Sequence, residues 1–95
     1  MSTTTSKPDG TTGRTTIQVQ ATGQVGVDRF VCDVEELEVY HVQDGTFHDQ
    51  TGLVRRPANL LELLGVTYAL ERRGNISRRA RDQFAAFIQS NAPWN

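Results

Sequence analysis

Residues 15–21 alternate, with Ile17, Val19 and Ala21 on one side and Thr16, Gln18 and Gln20 on the other. A period of two predicts a half-buried strand. Gly23 and Gly26 then mark a turn or bulge. The next apolar run, residues 30–34, is dense enough for a central strand. Two readings compete over residues 33–42 (DVEELEVYHV). Asp33 with Glu36 has the form of a capping box, which favours a short helix. Leu37, Val39 and His41 alternate with Glu38, Tyr40 and Val42, and their β-branched and aromatic content favours a strand. Strand is the stronger expectation.

Asp44-Gly45 follows, flanked by alternating apolar residues. This pair is a strong hairpin signal, because a type I′ turn needs positive φ at both central positions. A two-residue loop there sets Gln43 opposite Thr46, Val42 opposite Phe47, His41 opposite His48, Tyr40 opposite Asp49 and Val39 opposite Gln50. Val42 with Phe47 is the β-branched and aromatic contact that cross-strand pairs favour.

After Gly52 the period becomes helical. Pro57 suits a first helical turn. Leu60, Leu61, Leu64 and Tyr68 form one stripe, while Leu63, Val66 and Leu70 lie on the other side. A helix apolar nearly all round is either well buried or broken, here at Gly65. Gly74 reads as a stop, with Arg72 and Arg73 suited to a helix C-terminus. Ser77 or Asn75 caps a last helix running to about Gln89. Its stripe is Ile76, Ala80, Phe84, Phe87 and Ile88, and Arg78, Arg79 and Asp82 face away. Phe84, Phe87 and Ile88 are expected to pack on the sheet with Leu60, Leu64 and Ile17. The fold class is therefore α+β: a small antiparallel β-meander of three to four strands, followed by two helices on one sheet face.

Composition adds boundaries. Residues 1–14 are rich in Thr, Ser and Gly and offer little to bury, so they are expected to be a disordered arm ahead of one domain over residues 15–95. Some eighty residues make a small core, in which a deep catalytic cleft is hard to build and a flat face or groove is easier. Cys32 is the single cysteine, so no intramolecular disulfide forms, and it reads as a small buried apolar residue. The chain shows no apolar run of membrane-spanning length and no signal-peptide pattern, which makes the cytoplasm the expected location.

Charge is divided unevenly. Residues 28–49 hold seven acids against Arg29, whereas residues 50–95 hold seven arginines against three acids. The acidic strands and basic helices either complement each other within the fold or present an arginine-rich surface to an acidic partner. Arg72, Arg73, Arg78, Arg79 and Arg81 cluster around the turn between the helices and are the candidate partner-binding residues, able to clamp phosphates or carboxylates. The segment LLELLGVTYALERRG has the outline of a helix-turn-helix. That motif wants a small residue where Leu61 stands and a buried aliphatic where Glu71 stands, so it is not assigned.

His41 and His48, opposite one another in the hairpin, are weak candidates for a metal. A structural zinc site usually takes four protein ligands, and Cys32 with Asp49 or Glu36 would have to complete it without any ligand-type spacing. Neither a serine beside a plausible base nor a glycine-rich phosphate loop is present, and no cofactor is implied. The expected function is a non-enzymatic binding or adaptor module for a macromolecular partner, most of all a protein, with edge strands and a charged face for docking. Such modules occur as phage- or operon-type accessory proteins, a context for which no residue speaks. Nucleic-acid binding through the basic turn of residues 72–81 is the alternative. It is weakened by an isoelectric point near 6.1.

Overall fold

The computed structural model describes residues 15–20 and 28–93 of the chain. Four strands come first: β1 (Thr16–Gln20), β2 (Asp28–Asp33), β3 (Glu38–Gln43) and β4 (Thr46–Asp49). Each pairs antiparallel with the next, so the sheet order is β1-β2-β3-β4. A short 3-10 turn (Thr51–Leu53) leads to helices α1 (Leu60–Arg72) and α2 (Arg78–Ser90). This is the expected meander followed by two helices, an α+β domain. The proposed arm at residues 1–14, the turn at Gly23 and Gly26, and Ala21 lie outside the described residues.

The β3–β4 hairpin has the register that Asp44-Gly45 implies. Tyr40 pairs with Asp49, His41 with His48, Val42 with Phe47 and Gln43 with Thr46. Asp44 and Gly45 sit at φ 50° and 79°, both positive as a type I′ turn requires. The Gln50 amide extends the ladder by donating to the Val39 carbonyl at 2.8 Å.

Residues 33–42 are not one strand. β2 stops at Asp33, residues 34–37 form a tight turn, and β3 starts at Glu38, so Asp33 pairs with Glu38 across a second hairpin. The Asp33 carboxylate accepts from the Glu35 and Glu36 amides at 2.9 and 3.1 Å. It satisfies backbone donors, as the capping-box pattern suggests, but in a turn rather than a helix. Leu37 closes that turn at φ 60°. A leucine in the left-handed region gives no glycine signal, which is why the turn is hidden in the sequence.

α1 starts later than Pro57 implies. Asn59 is its N-cap, accepting from the Glu62 amide at 2.9 Å, and Glu62 Oε1 in turn accepts from the Ala58 amide at 2.9 Å. Pro57 lies before the helix. The helix runs unbroken through Gly65 and buries Leu63, Val66, Thr67 and Leu70. The stripe of Leu60, Leu61, Leu64 and Tyr68 is thus the wrong face to call core. Leu60 and Leu64 sit at the core margin, and Leu61 and Tyr68 are exposed.

Ile76 just before α2, and Ala80, Phe84 and Ile88 within it, are buried at intervals of four, with Ala85 beside them. Phe87 is only half-buried and, among the described residues, lies outside the main cluster, so the expectation that it packs on the sheet with Phe84 and Ile88 is corrected. Its offset from the Ala80–Phe84–Ile88 line turns it toward the rim. The core joins Val19, Phe30, Cys32 and Val39 of the sheet to Leu63, Val66, Leu70, Phe84 and Ile88 of the helices, with Ile17, Leu60 and Leu64 at its edge. α2 lies against both β1 and α1. A second buried cluster, Val31, Tyr40 and Val42 with Phe47 against it, occupies the opposite face of the sheet. There the Tyr40 and Phe47 rings meet edge to face at 5.6 Å.

Candidate functional site

The basic turn is built by two helix ends. α1 ends in a paired motif: Gly74 at φ 82° donates its amide to the Glu71 carbonyl at 3.0 Å, and the Asn75 amide reaches the Leu70 carbonyl at 2.9 Å. This is the Schellman arrangement, which only a residue tolerant of left-handed φ closes cheaply. Three residues on, Ser77 caps α2 by accepting the Ala80 amide at 3.1 Å. Arg72 and Arg73 therefore stand at the end of α1, and Arg78 and Arg79 at the start of α2.

All four of these arginines are exposed, and none of their guanidinium groups has an ion-pair or hydrogen-bond partner among the described residues. Arg72 and Arg73 suit the negative end of the α1 dipole. Arg78 and Arg79 occupy the positive end of the α2 dipole with no acid in that first turn. A cation there opposes the dipole by about 0.3–1 kcal/mol when exposed. The turn concentrates positive charge instead of neutralising it.

Arg81 is different. Its guanidinium pairs with Asp82 Oδ1 at 2.7 Å and Glu71 Oε1 at 3.7 Å, and its carbon lies 4.6 Å from the Tyr68 ring centroid. Arg81 is thus a local brace between α1 and α2, holding Tyr68 in place by cation–π contact. Of the five candidate arginines, four are free to meet a partner and one is already engaged.

The acidic strands do not quench this surface. Among the described residues, Asp49 and Glu38 meet Arg56 in the loop before α1, and Asp28 meets His41. None of them meets Arg72, Arg73, Arg78 or Arg79. What positions the turn is a residue pair with no sequence signal: Asn75 Nδ2 donates to Gln50 Oε1 at 3.0 Å, tying the turn to the end of β4.

The histidines lie opposite each other in the ladder, as the hairpin register requires. His41 Nε2 is bonded to the Asp28 carboxylate, and its ring lies 4.9 Å from Phe30 at a 31° tilt. His48 is exposed. Among the described residues no group of three or more His, Cys, Asp or Glu side chains could hold a metal ion. Cys32 is fully buried, and burial, with the Asp33 charge adding to it, pushes its thiol far up. The nucleophile is the thiolate, so a thiol held protonated in this way is inert. Among the described residues no helix is long and apolar enough to cross a membrane. No protein-family model matches the chain, and neither does a curated protein or a solved structure.

Proposed function

We propose that this protein is a non-enzymatic binding module that docks a macromolecular partner through the α1–α2 turn, with Arg72, Arg73, Arg78 and Arg79 as the charged contacts. The observation that carries this reading is the contrast among the arginines: Arg56 and Arg81 have carboxylate partners, while these four have none among the described residues. An acidic group at the turn meets several guanidiniums and the positive end of α2 at once. A protein partner is favoured over nucleic acid, because the chain carries net charge −1 and nucleic-acid domains usually carry a strong positive balance.

The test is affinity capture from the native host with the full chain as bait. It is compared with a variant in which Arg72, Arg73, Arg78 and Arg79 are all alanine. A protein retained by the first bait and lost from the second supports the reading. Retention by both moves the interface elsewhere.

Nucleic acid is the second reading, for which four clustered guanidiniums speak. Duplex binding that weakens with salt, at a log–log slope of about −0.9 per phosphate neutralised and flattened by Arg78→Ala with Arg79→Ala, establishes it. Failure to bind duplex at low salt removes it.

A further inference from the structure

α1 carries two apolar seams. One, Leu63, Val66, Thr67 and Leu70, is fully buried against the sheet and α2. The other points outward at Leu61, 62% exposed, and Tyr68, 38% exposed, with Leu64 between them half-buried at the core margin. Leu61, Leu64 and Tyr68 stand at i, i+3 and i+7, the spacing by which one helix reads another. Gly65 lies among them, and a methyl group built on it meets no atom within 4 Å. The missing side chain leaves a dip where a second helix backbone can come close. Arg72 is one turn beyond Tyr68 on the same side, within about 60° of arc of Leu61 and Gly65 at 100° per residue. A helix apolar on both sides normally has both sides covered.

We propose that the outward seam of α1 is a groove for an amphipathic acidic helix of a protein partner. Its apolar stripe lies on Leu61, Leu64 and Tyr68, and its carboxylates meet Arg72. This rests on the binding-module reading and names the partner's chemistry. Charge complementarity selects the occupant. Nucleic acid gains nothing from Leu61 and Leu64, which offer no donor to a phosphate. A second copy of the chain matches the apolar stripe, but its own seam carries Arg72 and no carboxylate to meet the first. Tyr68 is prepared for the contact, since Arg81 already holds its ring, and a preordered aromatic loses little entropy on binding.

The probe is a synthetic helical peptide of roughly 20 residues, about 30 Å long, with leucine at its a and d positions and glutamate at the others. Its controls are the same composition with the leucines scrambled, and the same pattern with lysine for glutamate. Titration into labelled full-length protein is followed by amide NMR shifts. The amphipathic glutamate peptide is expected to bind saturably and to move amides along residues 61–73, with both controls at least about tenfold weaker. Leu61→Asp and Gly65→Leu should each weaken binding about tenfold or more, the first by spoiling the apolar anchor and the second by filling the dip. Both variants should keep the fold, because Leu61 is exposed and Gly65→Leu raises helix propensity. Arg72→Glu should reverse the preference toward the lysine peptide.

The absence of saturable binding at millimolar peptide, or binding indifferent to Leu61→Asp, overturns the proposal. So does concentration-dependent self-association that Leu61→Asp abolishes, which assigns the seam to a second copy. Host capture that is lost with the four-arginine variant but kept by Leu61→Asp overturns the groove alone and leaves the binding-module reading standing. Capture indifferent to both sets of changes overturns the two together.

Discussion

The Asn75 side-chain amide donates to the side-chain oxygen of Gln50 at 3.0 Å, across 25 residues of chain. Gln50 is itself anchored. Its amide continues the β3–β4 ladder to Val39, and its side-chain nitrogen donates to the His48 carbonyl at 3.1 Å. The arginine turn is therefore referenced to the sheet, not only to the two helices it joins.

Asn75→Ala should leave the buried Gln50 oxygen without this donor and cost about 1–3 kcal/mol. Gln50→Ala should cost a similar amount. The double variant should cost much less than the sum, since both changes break one bond. Urea denaturation of the four proteins measures this. Full additivity would show that the contact carries no energy.

Phe84 and Phe87 separate the true core face of α2 from its rim. Phe84 is fully buried in the main cluster, so Phe84→Ala should cost about 3–5 kcal/mol. For a domain of this size that is a large part of the total. Phe87 is half-buried and outside the cluster, so Phe87→Ala should cost clearly less. Thermal denaturation ranks them, and an equal loss would mean that α2 is rotated from the orientation described.

Two glycines should respond with opposite signs. Gly45 sits at φ 79° in the type I′ turn, where an L side chain is strained by about 1–2 kcal/mol, so Gly45→Ala should destabilise. Gly65 is inside an exposed helix face with open space around its Cα, so Gly65→Ala should stabilise by about 0.5–1 kcal/mol. Shifts in the denaturation midpoint of the same sign for both would contradict this local account.

Cys32 couples stability to alkaline pH. Burial raises the folded thiol well above its ordinary value of 9.0, so the unfolded chain loses that proton while the folded chain keeps it. The contribution is fully present below pH 9.0. Above that, stability should fall by about 1.4 kcal/mol per pH unit from this group alone. Cys32→Ala should remove that slope, at the cost of a smaller core side chain. In the folded protein at neutral pH, a thiol reagent should label Cys32 only as fast as the domain opens. Immediate labelling would show the site to be accessible.

Much of the fold is legible because its signals are local. Alternation and the Asp44-Gly45 pair set the β3–β4 register to the residue, since positive φ at two successive positions is demanding chemistry. Gly74 and Ser77 delimit the helices for the same kind of reason, one by its left-handed backbone and the other by a side-chain oxygen within reach of its own helix. Asn59 with Glu62 was equally readable as the start of α1. Pro57 is the distractor, because proline tolerates a first helical turn without demanding one.

Within the candidate site, the sequence by itself located the arginine cluster and the two histidines facing each other. It determined the Asp44-Gly45 turn, the helix ends at Gly74 and Ser77 and the β3–β4 register, which depend on backbone stereochemistry over a few residues. Only the tertiary structure decided which side of α1 is core, because a helix apolar all round has no preferred face until the sheet and α2 cover one. It also decided that Arg81 is spent on Glu71, Asp82 and Tyr68 while its four neighbours stay free, and that Gln50 holds Asn75. Those outcomes rest on contacts between segments far apart in the chain, where the identity of a residue does not reveal its partner.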